Sequence, residues 1–139
     1  MIEFENLPQE LSCEKVLLKQ WLKRIIRNEG FEPGDIHYTF YKDAELVEVN
    51  FKFLNHDTYT DIITFDYCNG GIVAGEIFVS EERIRDNAVM LQEVLHNEML
   101  RVVAHGVLHL CGYKDKTDED AALMREKETA AISLFDSIK

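Results

Sequence analysis

The sequence predicts an α+β domain in which a small sheet, mixed or mainly antiparallel, is covered by helices. Three observations carry that expectation. A helical apolar stripe stands near the amino end, and segments of period two fill the middle. Helical periodicity then returns and holds to the carboxyl end. The 139 residues are 46% apolar and 29% charged, which suits one core and a single domain spanning 1–139. No repeat, low-complexity tract or Pro/Gly-rich linker divides them.

Taken in order, Ile2-Glu3-Phe4 reads as a short first strand. Ser12 is the expected N-cap of a helix running to about Asn28, with Gly30 beyond its end. Leu18, Trp21, Leu22, Ile25 and Ile26 share one face of that helix. Residues 36–41 and 46–54 both alternate and are rich in strand formers, so a turn near Asp43 would join them as a hairpin. Residues 61–67 and 72–79 read as two further strands around Asn69-Gly70-Gly71, whose residues tolerate positive φ. From Ser80 to Cys111 the pattern is helical. One unbroken rod of that length would span about 48 Å, against a radius of gyration of about 14 Å for the whole domain. A break is therefore expected near His96-Asn97. Thr117-Asp118-Glu119-Asp120 resembles a capping box opening a last helix, with Ala121, Met124, Ala131, Ile132 and Phe135 as its apolar stripe.

Composition narrows the function. The formal charge is −11, from 15 Lys and Arg against 26 Asp and Glu. A broadly acidic surface repels phosphate backbones, so DNA is not an expected partner and any nucleic-acid groove must be local. No apolar run approaches a membrane span, and the acidic start Met1-Ile2-Glu3-Phe4-Glu5 lacks the regions of a signal peptide. The expected setting is the cytoplasm, without membrane contact. Cys13, Cys68 and Cys111 are odd in number and fit no paired ligand motif, so they read as reduced, half-buried thiols.

The chemistry concentrates in His105-Gly106-Val107-Leu108-His109-Leu110-Cys111-Gly112-Tyr113-Lys114-Asp115. Positions four apart share a helical face, so His105 and His109 can converge on one ion. Gly112 is the expected helix stop, after which the chain can turn back and Asp115 can supply an oxygen. Three protein ligands leave a position for water, whose acidification is what a catalytic metal provides. On spacing alone, two such histidines also fit a helix with one ring packed and the other solvated, and Asp115 also fits an ordinary turn residue. His37, His56 and His96 lack comparable partners and read as surface or hydrogen-bonded histidines. In the HExxH helix of metalloproteases the general base is Glu beside the first His, but here that place is Gly106, which argues against peptidase chemistry by that route.

The string from His105 to Tyr113, His-Gly-x-Leu-His-Leu-x-Gly-Tyr, resembles the signature of the YbeY family of metal-dependent hydrolases. Asp57-Thr58-Tyr59-Thr60-Asp61-Ile62-Ile63-Thr64-Phe65 and Gly75-Glu76-Ile77 resemble two further family stretches in the same order. The resemblance covers nearly the whole chain and implies a zincin-like helix-and-sheet core. It also implies one metal ion, usually taken as Zn²⁺, held by three histidines in most members. The first two fall on His105 and His109, and the third position is Asp115 here. Asp is a competent zinc ligand, though its harder oxygen makes the metal's identity less certain. Where many members carry Arg, this chain has Leu54, with Lys52 the nearby cation.

The resemblance further implies single-strand-specific endoribonuclease activity in rRNA maturation and ribosome quality control, with rRNA or the ribosome as partner. Asp61 would then orient the attacking water, or a ligand, by a hydrogen bond; a strand-edge or turn carboxylate is the alternative. Lys15, Lys19, Lys23 and Arg27, with Arg24 adjacent, form a basic stripe that could contact RNA backbone or be only a solvated face. Two other functions stay open. One is a metal hydrolase of another ester or amide. The other is a non-catalytic ribosome assembly factor whose structural metal takes a fourth ligand from Asp118, Glu119 or Asp120.

Overall fold

The computed structural model describes residues 1–41 and 62–139. The expected strand 46–54, the turn at Asp43, and residues Lys52, Leu54, His56 and Asp61 lie outside the described residues. Along the chain come β1 (Ile2–Glu5), α1 (Gln9–Ser12), α2 (Lys15–Asn28), β2 (Glu32–Tyr41), β3 (Ile62–Asp66) and β4 (Ile72–Ser80). Three helices follow: α3 (Glu81–Met90), α4 (Leu95–Leu110) and α5 (Asp118–Ile138).

The described strands form one mixed sheet in the order β1-β2-β4-β3. β1 and β4 run parallel to β2, and β3 runs antiparallel to β4. Over Ile36–Thr39 β2 is paired on both sides, by β1 and by β4. The parallel β1–β2 pair needs a crossover, and α1 with α2 supplies it. β3 and β4 are joined through Gly70 and Gly71, at φ 59° and 84°, as a primed hairpin turn requires.

Two helix boundaries depart from expectation. Ser12 does not cap a long helix. It ends α1, where its hydroxyl donates to the Gln9 carbonyl at 2.9 Å, and α2 starts afresh at Lys15. The break expected at His96-Asn97 falls earlier, between Met90 and Leu95, with Gln92 at φ 55°. No glycine or proline marks that turn, and His96 is already helical. Its ring lies 2.6 Å from Glu14, which secures the helix where the pattern suggested a stop.

The core lies between the sheet and the helices. Leu18, Trp21, Leu22, Ile25 and Ile26 of α2 are buried as one face, and a fully buried side chain of this size contributes about 1.5–3 kcal/mol. The polar tips of two buried aromatics are satisfied: Trp21 Nε1 donates to Ala131 O at 2.7 Å and Tyr38 Oη donates to Val103 O at 2.5 Å. α4 is covered by α2, α3, α5 and the sheet. Beyond its first turn only residues 101, 105 and 109 interrupt its burial, one step every four residues. That stripe carries both histidines.

Candidate metal centre

α4 can lie close to the sheet because position 106 has no side chain. A Cβ there would meet Ile62 Cδ1 and Ile77 Cγ2 at 3.0 Å. The place that holds the base in an HExxH helix therefore faces a packed sheet, with no room for a carboxylate. The helix stops after Leu110 in a Schellman arrangement, with Tyr113 N donating to Leu108 O at 3.1 Å and Gly112 N to His109 O at 3.0 Å. Gly112 sits at φ 107°, a conformation that costs other residues strain. The chain then doubles back along its own helix.

That reversal brings Asp115 to the histidine stripe. Asp115 Oδ2 lies 3.3 Å from His105 Nε2 and 3.4 Å from His109 Nε2. Candidate ligand atoms of all three residues fall within 4.8 Å of one another. The other ring nitrogens are already engaged. His109 Nδ1 lies 2.9 Å from the Tyr113 carbonyl, which can only accept, so Nδ1 carries the proton. His105 Nδ1 lies 2.5 Å from Glu128 Oε2, which fixes the same tautomer. With Nδ1 engaged, each ring leaves Nε2 as the atom facing the Asp115 oxygen, and in the neutral form that atom offers a lone pair to a cation. Tetrahedral bonds of about 2.0–2.1 Å place donor atoms about 3.3–3.4 Å apart, which matches the two separations. The donor set therefore fits an ion such as Zn²⁺.

The loop carrying Asp115 is itself tied down. Tyr113 Oη donates to Glu29 Oε1 at 2.6 Å, and Lys127 Nζ reaches Glu29 Oε2 at 3.4 Å. Burial, then the bond to Glu29, raises the Tyr113 phenol above its ordinary pKa. It therefore remains a donor at working pH. α2, α5 and the loop are locked together at this point.

Glu128 is the functional residue that sequence reasoning missed. It is 5% exposed, and its second oxygen accepts from Arg101 Nη1 at 3.2 Å. A signal was available: positions 124, 128, 131 and 135 form one buried face of α5, and Glu128 is the charged member among Met124, Ala131 and Phe135. A carboxylate on a core face needs a partner. Its partner is a candidate metal ligand.

The other predicted residues lie elsewhere. Asp118, Glu119 and Asp120 open α5, where Thr117 caps it by accepting from Asp120 N, and none belongs to the three-residue group found among the described residues. In the basic stripe, Lys19 is 3.9 Å from Glu3 and Arg27 is 3.8 Å from Glu32. Lys23 and Arg27 line a cleft with Ile138, ten residues along α5 from Glu128 and so about 15 Å away along its axis. The stripe is not part of the histidine site. Cys13 and Cys68 are exposed rather than half-buried, and Cys111 caps α4.

An imidazole pair on a buried helix, closed by a carboxylate from the following turn and set against a mixed sheet, is a group that could hold a metal ion, and similarity to known proteins places the chain among hydrolytic endoribonucleases. More particularly, the chain belongs to the Endoribonuclease YbeY family, whose model matches residues 3–136. It is 47% identical over 136 residues to the Endoribonuclease YbeY of Flavobacterium johnsoniae, covering 97% of each chain. It is also 47% identical over 115 residues to that of Flavobacterium psychrophilum, covering 83% of this chain and 82% of the relative. A solution structure of a Thermotoga maritima protein superposes with a TM-score of 0.68 at 30% identity, covering 97% of this chain and 89% of that one.

Proposed function

We propose that this chain is a metal-dependent endoribonuclease of single-stranded RNA, acting in rRNA maturation and ribosome quality control, with one Zn²⁺ held by His105, His109 and Asp115. The observation that carries the metal assignment is the convergence of two Nε2 atoms on one Asp115 oxygen at 3.3 and 3.4 Å. The family match over 3–136 supports both the ribonuclease activity and the reading of 1–139 as one domain. Among the described residues no helix is long and apolar enough to cross a membrane, which is compatible with a cytoplasmic site of action.

When bound, such an ion supplies Lewis acidity toward a phosphodiester and the attacking water. The protein's own groups prepare the place. Glu128 and the Tyr113 carbonyl hold both rings with Nε2 facing inward, so little reorganisation is needed to receive a cation. The Gly112 turn and the Tyr113–Glu29 bond hold the Asp115 loop against α4. Asp61 as an orienting carboxylate, and Lys15, Lys19, Lys23 and Arg27 as a distant contact for RNA backbone, belong to the same proposal.

The test pairs His109→Ala with wild type. Metal content is measured by mass spectrometry, folding by circular dichroism, and cleavage on single-stranded RNA, duplex RNA, model esters and peptides. The folded variant is expected to lose both the ion and single-strand cleavage. Undiminished cleavage in a folded, metal-free variant would overturn the assignment, and ester or peptide turnover without RNA cleavage would redirect the substrate class.

A further inference from the structure

A cleft of about 230 Å³ opens beside the metal centre, lined by Asn87, Leu91, His105, the paired Arg101, Glu98 and Glu128, and Arg125. Larger cavities lie elsewhere. The one of about 570 Å³ runs past Glu3, Glu5, Asp35 and Glu76, a lining that repels phosphate. His105 belongs both to the smaller cleft and to the metal-ligand group. A polymer cut at that group extends beyond it, and this cleft adjoins the group through His105.

The two arginines there are in different states. Arg101, with 17% of its side chain exposed, is held by Glu128 at 3.2 Å and by Glu98 at 3.9 Å, so its charge is spent inside the protein. Arg125 is exposed and makes no ion pair among the described residues. It stands three positions before Glu128 on α5, hence on the same face and one turn from the carboxylate that holds His105. Leu91, 52% exposed, adds apolar surface to the same lining. On a chain of net charge −11, an exposed cation with no ion pair among the described residues, at the cleft beside the metal ligands, is a local attraction for a polyanion.

We propose that this cleft is the subsite for the nucleotide adjacent to the bond cut, with the Arg125 guanidinium pairing with its phosphate. This rests on the endoribonuclease reading. The contact is made to backbone, so it binds without selecting sequence.

The experiment compares wild type with Arg125→Ala, Arg125→Glu and Arg125→Lys, all metal-loaded. Substrates are a labelled single-stranded oligoribonucleotide across a salt series and bis(p-nitrophenyl) phosphate, which has no flanking nucleotide. Arg125→Ala is expected to raise KM for RNA about fivefold and to leave kcat, metal content and model-diester turnover unchanged. The slope of log affinity against log salt should become shallower by about 0.7, the value for one single-strand phosphate contact. Arg125→Lys should restore most of the loss, and Arg125→Glu should deepen it. If wild type cuts RNA and Arg125→Ala matches it in KM and salt slope, the subsite is wrong and the ribonuclease reading stands. A change in kcat or metal content in place of KM also overturns it, because Arg125 would then act on the metal centre. If wild type turns over the model diester and cuts no RNA, the ribonuclease reading fails first and takes the subsite with it.

Discussion

Replacing Glu128 by Gln should weaken metal binding about 10- to 100-fold, the usual consequence of losing the carboxylate behind a metal-ligating histidine. That range corresponds to about 1.4–2.8 kcal/mol. The structure gives the reason for choosing Gln. Glu128 is buried, with Oε2 at 2.5 Å from His105 Nδ1 and Oε1 at 3.2 Å from Arg101 Nη1. Gln keeps the volume and can still accept from His105, so the ring keeps its tautomer while losing the negative charge that makes Nε2 a better donor. Ala would be a poorer probe. It would leave Arg101 with Glu98 at 3.9 Å as its one carboxylate partner among the described residues, and breaking a buried pair costs about 3–5 kcal/mol of fold stability. The assay is competition for Zn²⁺ against a chelator of known affinity at fixed pH, with apo-protein melting recorded beside it. An affinity within twofold of wild type, in a variant whose apo form melts normally, would refute the idea that Glu128 conditions the site.

Three further outcomes follow from the fold. Gly75→Ala places a Cβ 2.4 Å from the Phe65 carbonyl oxygen, across the β3–β4 ladder, and should destabilise by about 1–3 kcal/mol, read as a lower urea midpoint with unchanged slope. Arg85, donating twice to Glu10 at 2.8 Å, holds that carboxyl below its ordinary pKa, so the pair's contribution is present above the ordinary carboxylate value and is lost as pH falls through the folded one. Arg85→Met should therefore lower stability by no more than about 1 kcal/mol at neutral pH, with the gap to wild type closing in acid denaturation series. Burial first, then Glu29 and Cys68 nearby, pushes the Cys111 thiol up to about 12, so alkylation at pH 8 followed by peptide mapping should label exposed Cys13 well before Cys111.

Much of the site was legible in the sequence because its parts are local. A four-residue helical step and a glycine that accepts positive φ can be read from adjacent letters, and together they bring His105, His109 and Asp115 to one point. The strands around Asn69-Gly70-Gly71 and the Thr117 cap were legible for the same reason. Each rests on bonds between residues close in the chain. The break after Met90 was misplaced because its turn uses Gln92 at positive φ, without glycine or proline, and because His96 is held by Glu14, 82 residues away.

What the tertiary structure alone decided is everything that depends on which helix lies beside which. Packing α5 on α4 turned Glu128 from an anomaly on an apolar stripe into the partner of His105, and set Arg125 at the cleft beside it. Packing α2 near the Asp115 loop made Glu29 its anchor. Helical periodicity states which face of a segment is buried. It carries no information about the neighbour that buries it, and that neighbour determines whether a buried charge is a liability or a hold on a candidate metal ligand.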